Sequence, residues 1–130
     1  MKNFKWCVWL IPAKNHHWNS LTNGFPVHMT VKSFLEREEA ESFLTENFDP
    51  VYLKIVSNPI AEYDEDFSAL YYRVESARNW FPENPHISFY YSYEQSLKVV
   101  EAKGGALFDQ IVIANCQNHF RNWTYEILLH

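Results

Sequence analysis

Two short stretches of this sequence pair an imidazole with a hydroxyl in the same way: His28-Met29-Thr30-Val31 and His86-Ile87-Ser88-Phe89. Pro26 stands two residues before the first, and Pro85 directly before the second. Side chains alternate between the faces of a strand. His28 and Thr30 therefore point one way and Met29 and Val31 the other, and His86 and Ser88 oppose Ile87 and Phe89 likewise. Histidine gains or loses a proton near neutral pH. Two histidines on facing strands suit an in-line displacement at phosphorus. One takes a proton from the attacking hydroxyl or water, and the other gives a proton to the leaving oxygen. The Thr30 and Ser88 hydroxyls would donate to the non-bridging oxygens as charge builds there. Proton transfer and oxygen binding are both supplied, so no metal and no cofactor is expected, and a bell-shaped pH–rate profile is predicted. The motifs leave open which histidine is the base and which the acid.

Other residues are placed around these four by the same alternation. Lys32 shares the face of His28 and Thr30, either as a cation near a phosphate or as a solvated strand-end lysine. Tyr90 shares the face of His86 and Ser88, either against substrate or in ordinary packing. Trp9, Phe25 and Tyr72 are further candidate stacking surfaces. Since 18% of the chain is aromatic, most such rings must be core. Arg73, Arg78 and Arg121 are candidates for a second phosphate, and nothing in the sequence selects among them. The His16-His17 pair and the Cys116-x-x-His119 spacing lack further ligands at metal-site distances along the chain. A metal-dependent hydrolase built on them is one rival reading. Another is a binding module that keeps the fold without turnover, which would be expected to have lost a histidine or a hydroxyl.

The elements that must hold these residues can be read from periodicity and punctuation. Strands are expected over Phe4–Ile11, Val27–Phe34, Val51–Val56, Ala69–Val74, His86–Tyr91, Leu107–Ala114 and Phe120–Leu129. Lys14–Gly24 and Arg78–Pro85 read as loops, and the acidic, turn-rich Asn58–Phe67 as a junction. Ser33 to Glu36 has capping-box spacing, predicting a helix that starts at Ser33 or a neighbour and turns Ala40, Phe43 and Leu44 inward. Ser92 to Gln95 repeats that spacing before Leu97, Val99 and Val100, which predicts a second helix. The order is β–βαβ twice, then a closing strand. The fold class expected is α+β in one domain, 1–130, with pseudo-symmetric halves of about 1–60 and 61–130. Two small, mainly antiparallel sheets with outer helices would flank a central cleft.

With its two His-x-Thr/Ser-x motifs on matching strands, the sequence resembles the 2H phosphoesterase superfamily. Members include bacterial RNA ligase-like 2′,5′ enzymes, plant and fungal cyclic phosphodiesterases, and viral and animal 2′,5′-phosphodiesterases. The resemblance implies a bilobed α+β fold with both motifs lining the cleft, His28 and His86 catalytic, and Thr30 and Ser88 on the phosphate. Ser88 stands where many members have Thr, which keeps the hydroxyl. The chain is short for the family, so substrate-shaping loops are expected to be reduced. Suitable substrates would be 2′,3′-cyclic phosphates, 2′–5′ linked oligonucleotides or cyclic dinucleotides.

Bulk properties agree with a small-molecule substrate. The chain has 130 residues, 47% of them hydrophobic, and a net charge of -5. That is enough apolar side chain for a core, and the wrong charge balance for binding long duplex nucleic acid. Cys7 and Cys116 lie far apart in sequence and read as two separate buried free thiols, which suits a reducing compartment. No apolar run approaches the roughly 18 residues of a membrane span, and the start does not resemble a signal peptide. A cytoplasmic monomer is expected.

Overall fold

A computed structural model describes residues 6–22, 25–47, 50–63, 68–76, 85–92, 101–116 and 123–129. It is α+β, with strands dominating. In chain order the elements are β1 (Trp6–Ile11), a short 3-10 helix (His17–Leu21), β2 (Met29–Phe34), α1 (Arg37–Asn47), β3 (Val51–Ile55), β4 (Ile60–Tyr63), β5 (Ser68–Glu75), β6 (His86–Ser92), β7 (Gly105–Phe108), β8 (Gln110–Asn115) and β9 (Thr124–Leu129). The predicted second helix, expected to end at Gly104-Gly105, falls mostly on 93–100, outside the described residues, as do Arg78, His119 and Arg121, but 101–103 are not helical and Gly105 begins β7.

The strands form two antiparallel sheets. One has the order β2-β1-β8-β9. In the other, β5 is central, with β6 along one edge and β4 and β3 along the opposite edge, and β7 lies outside β3. The first sheet draws on both ends of the chain and the second on its middle. Neither coincides with a sequence half of 1–60 or 61–130. The sheets meet where His28 pairs with Ser88, the Ser88 N–H donating to the His28 carbonyl at 2.9 Å.

Three elements depart from expectation. The segment read as a junction contains β4. Ile60–Tyr63 pairs with Ser68–Tyr71, and β3 continues along the same edge of β5 after a break. The Ser57 hydroxyl fills the break by accepting from the Arg73 N–H at 2.9 Å. The apolar run from Leu107 to Ala114 is two strands, not one. Asp109 separates β7, in the second sheet, from β8, in the first. Ser33 does not cap the helix, because it belongs to β2. The helix starts at Arg37, and the Glu39 carboxylate accepts from the Glu36 N–H at 3.3 Å. Glu38 and Glu39 occupy the first turn, where carboxylates suit the helix dipole.

One face of both sheets builds the main core. Val8, Leu10, Met29, Ile111 and Ile113 supply the first sheet. Leu53, Leu70, Tyr72, Val74, Ile87, Phe89 and Phe108 supply the second, and Ala40 of α1 and Trp18 close over them. The rings interlock at angles: Trp18 meets Phe89 at 5.9 Å and Phe108 at 6.4 Å between centroids. Phe108 is fully buried. Truncating Phe108 to Ala is expected to cost about 3–5 kcal/mol by urea unfolding, and a loss below about 1 kcal/mol would contradict this packing.

Candidate functional site

The opposite face of the sheets carries the histidines. On β1 this face shows Cys7, Trp9 and Ile11, and on β8 it shows Val112 and Ala114. Together they form a second, smaller cluster with Cys116, Trp123 and Tyr125. On β5 the face shows Ala69, Tyr71 and Arg73, whose partners on β6 are Tyr91, Ser88 and His86.

His28 is held from three directions. The 3-10 helix before it anchors the approach, because the Asn19 side-chain oxygen accepts from the Val27 N–H at 2.8 Å. The Thr22 hydroxyl donates to the carbonyls of Asn19 and Phe25. His28 Nδ1 lies 2.9 Å from the Pro26 carbonyl, which only accepts, so Nδ1 carries the proton and Nε2 carries the lone pair. The ring is stacked on Trp9 at 3.7 Å and 15°, with Phe25 edge-on at 5.4 Å. His28 is only 1% exposed. Burial pushes its pKa down to about 3, against the pull of the Pro26 carbonyl and aided by the charge of His86. At neutral pH it is a neutral acceptor.

Tyr91 completes that site. Its hydroxyl lies 3.2 Å from His28 Nε2 and donates to the lone pair. The Ser88 hydroxyl in turn donates to the Tyr91 oxygen, and burial, the larger effect, raises the Tyr91 pKa. A chain of donors thus runs from Ser88 through Tyr91 and His28 to the Pro26 carbonyl. Phe25 and Trp123 pack against the Tyr91 ring at 4.9 and 5.2 Å.

His86 stands in the opposite condition. It is exposed, at the start of β6, with the Tyr71 ring at 4.7 Å. The Tyr71 hydroxyl donates to Glu62 at 3.2 Å. Burial raises the Tyr71 pKa first, and the Glu62 charge adds to it. Arg73 lies directly across the ladder from His86 and is exposed.

Strict alternation misplaces two of the expected residues, for one reason. Thr30 pairs with Trp9 and Lys32 with Val8, so Val31 is an extra residue in β2. Likewise Ser88 pairs with Tyr71 and Tyr90 with Leu70, so Phe89 is an extra residue in β6. Each bulge reverses the facing of the residues after it. Lys32 lies over the Phe34 and Phe43 rings, at 5.5 and 5.8 Å, away from His28. Tyr90 packs against the main core, and Tyr91 takes the place expected of it. By the same shift Ser33 joins the face of Thr30. No glycine marks either bulge, so no residue type announces them.

The remaining candidates divide between the histidine face and the core. Thr30, half-buried, and Ser88, 7% exposed, share the histidine face. Trp9 and Phe25 are buried there against His28 itself. Tyr72 belongs to the core, where its hydroxyl accepts from the Ala102 N–H at 3.0 Å. Of the three arginines, Arg73 is the one placed beside the motifs among the described residues. The His16 ring caps the 3-10 helix, with Nδ1 accepting from the Trp18 N–H at 3.2 Å, and it stacks on His17. Among the described residues no three His, Cys, Asp or Glu side chains are grouped to hold a metal ion.

The two tyrosines give a direct check on the bulge in β6. Tyr91→Phe leaves the buried Nε2 of His28 without its donor and is expected to cost about 1–3 kcal/mol in urea unfolding. Tyr90→Phe leaves the His28 contacts untouched and should cost less. The reverse order would place Tyr90, not Tyr91, at the histidine.

Compared with protein-family models, curated proteins and solved structures, the chain matches none. Among the described residues no helix is long and apolar enough to cross a membrane.

Proposed function

We propose that this protein is a metal-independent phosphodiesterase of the 2H type acting on small nucleotides. One observation carries the reading. The backbone bridge from Ser88 to His28, 2.9 Å long, sets the two motifs side by side with both histidines and both hydroxyls on one face. The matching bulges after Thr30 and Ser88 support the finer reading of the architecture, in which two duplicated halves flank a cleft.

Environment divides the roles. His28, neutral and presenting a lone pair at Nε2, is the general base. His86, open to water, is the general acid, protonating the leaving oxygen from the far side of the phosphorus. Thr30 and Ser88 donate to the non-bridging oxygens, and the Arg73 guanidinium adds positive charge beside them. On substrate binding the attacking hydroxyl replaces Tyr91 at Nε2, which frees the Ser88 hydroxyl to turn toward the phosphate. Substrates in this reading are 2′,3′-cyclic phosphates, 2′–5′ linked oligonucleotides or cyclic dinucleotides, handled by a cytoplasmic monomer.

A second reading is favoured by one feature of the site. His28 is almost fully buried, with Nε2 already bonded to Tyr91, as in a nucleotide-binding module without turnover. Incubation with a panel of 2′,3′-cyclic mononucleotides, 2′–5′ and 3′–5′ oligonucleotides and cyclic dinucleotides separates the two. Cleavage of at least one member supports the enzyme, and saturable binding without any product supports the module.

A further inference from the structure

Cys7 and Cys116 are distant in sequence, but the ladder brings them together. Cys7 pairs with Ala114 across β1 and β8, and Cys116 comes two residues later on the same face. Both half-buried thiols pack against the cluster of Trp9, Ile11, Val112 and Ala114. They hydrogen-bond to each other, and Ser33 Oγ lies 3.4 Å from the Cys7 sulfur. In a regular ladder such diagonal neighbours stand roughly 7–8 Å apart at Cα, slightly beyond the span of a disulfide. Cys116 lies just past the end of β8, whose last residue paired with β1 is Asn115.

We propose that Cys7 and Cys116 form a redox-active dithiol that reduces a hydroperoxide and closes to an intramolecular disulfide. The Cys7 thiolate attacks the peroxide O–O bond, giving a Cys7 sulfenic acid and releasing an alkoxide or hydroxide. The Cys116 thiol then attacks the Cys7 sulfur, forming the S–S bond and releasing water. Two electrons pass from the two sulfurs to the peroxide, and an external thiol returns them. Cys7 is assigned as the attacking sulfur because the Ser33 hydroxyl, 3.4 Å away, can donate to its thiolate. The Cys116 bond is the largest influence on the Cys7 pKa, and against the cost of burial the two bonds bring it down to about 7. The same bond, with burial, raises the Cys116 pKa, as suits a resolving thiol that keeps its proton. The dithiol stands independently of the phosphodiesterase reading.

The test uses the whole protein. It is treated with a few equivalents of hydrogen peroxide, unfolded, alkylated and weighed, and its non-reduced peptides are mapped. The wild type should lose two hydrogens, take up no alkyl label and yield a peptide joining Cys7 to Cys116. Treatment with dithiothreitol should restore both labels. Cys116→Ser should stop at a dimedone-reactive sulfenic acid on Cys7, and Cys7→Ser should oxidise about tenfold more slowly. The wild-type mass alone decides the matter if a variant does not fold. Two alkylatable thiols after excess peroxide, or a disulfide only between chains, would overturn the proposal.

Discussion

Replacing His86 with Ala is expected to lower kcat/KM for a small-nucleotide phosphodiester by about 10²–10⁴-fold while leaving stability nearly unchanged. The second half of that expectation comes from position. His86 is exposed at the start of β6, so its loss opens no cavity. His28→Gln should lower the rate by a similar factor, because an amide side chain cannot take up the proton of the attacking group. The two losses should not add. Once one proton transfer fails, the partner has less of a transition state to stabilise. The roles themselves are testable through the leaving group. A p-nitrophenolate leaves without needing a proton. With a p-nitrophenyl ester the His86→Ala loss should therefore shrink, whereas the His28→Gln loss should persist. Equal losses on both esters would reverse or remove the assignment of His86 as acid.

The burial of His28 makes a second large effect, on stability. Its pKa is about 3 in the folded protein, against about 6.5 in an unfolded chain. Above the unfolded value the ring is neutral in both states and contributes no pH dependence. Below it, the unfolded chain takes up a proton that the folded protein refuses, so protons favour unfolding. Stability should fall as pH drops from about 6.5 toward 3, with a slope from this one group of up to about 1.4 kcal/mol per pH unit. Urea midpoints measured at several pH values should show this slope, and His28→Gln should flatten it. If wild type and variant have parallel pH dependences, the ring is not buried neutral as described.

Much of the candidate site's arrangement was legible in sequence, because each motif sets its histidine and hydroxyl two residues apart. A histidine, a hydroxyl two positions on and apolar residues between them need only a strand to share a face, and both strands form. The failures trace to what alternation cannot register. The extra residues Val31 and Phe89 turn Lys32 and Tyr90 away from the site and bring in Tyr91, and neither bulge has a residue type of its own. The contrast between a buried His28 and an exposed His86 was equally hidden. It depends on Trp9 arriving from β1 and Tyr91 from β6, and on the approach to β2 turning Phe25 onto the ring. The fold was readable as α+β from its periodicities. The assignment of strands to sheets was not, since the step from β7 to β8 across Asp109 interrupts an apolar run that reads as one strand. Cys7 and Cys116 became neighbours only through the β1–β8 register.

If two histidines alone move the protons, the pH profile of kcat/KM in excess chelator tests it most directly. That profile reports ionisations of the free protein. The expected result is a bell that survives chelation, with turnover still present at about pH 5, where an ordinary histidine base would be largely protonated. His86→Ala should lower kcat/KM across the whole range. Abolition of turnover by chelator, or an unchanged profile in His86→Ala, would contradict the two-histidine mechanism.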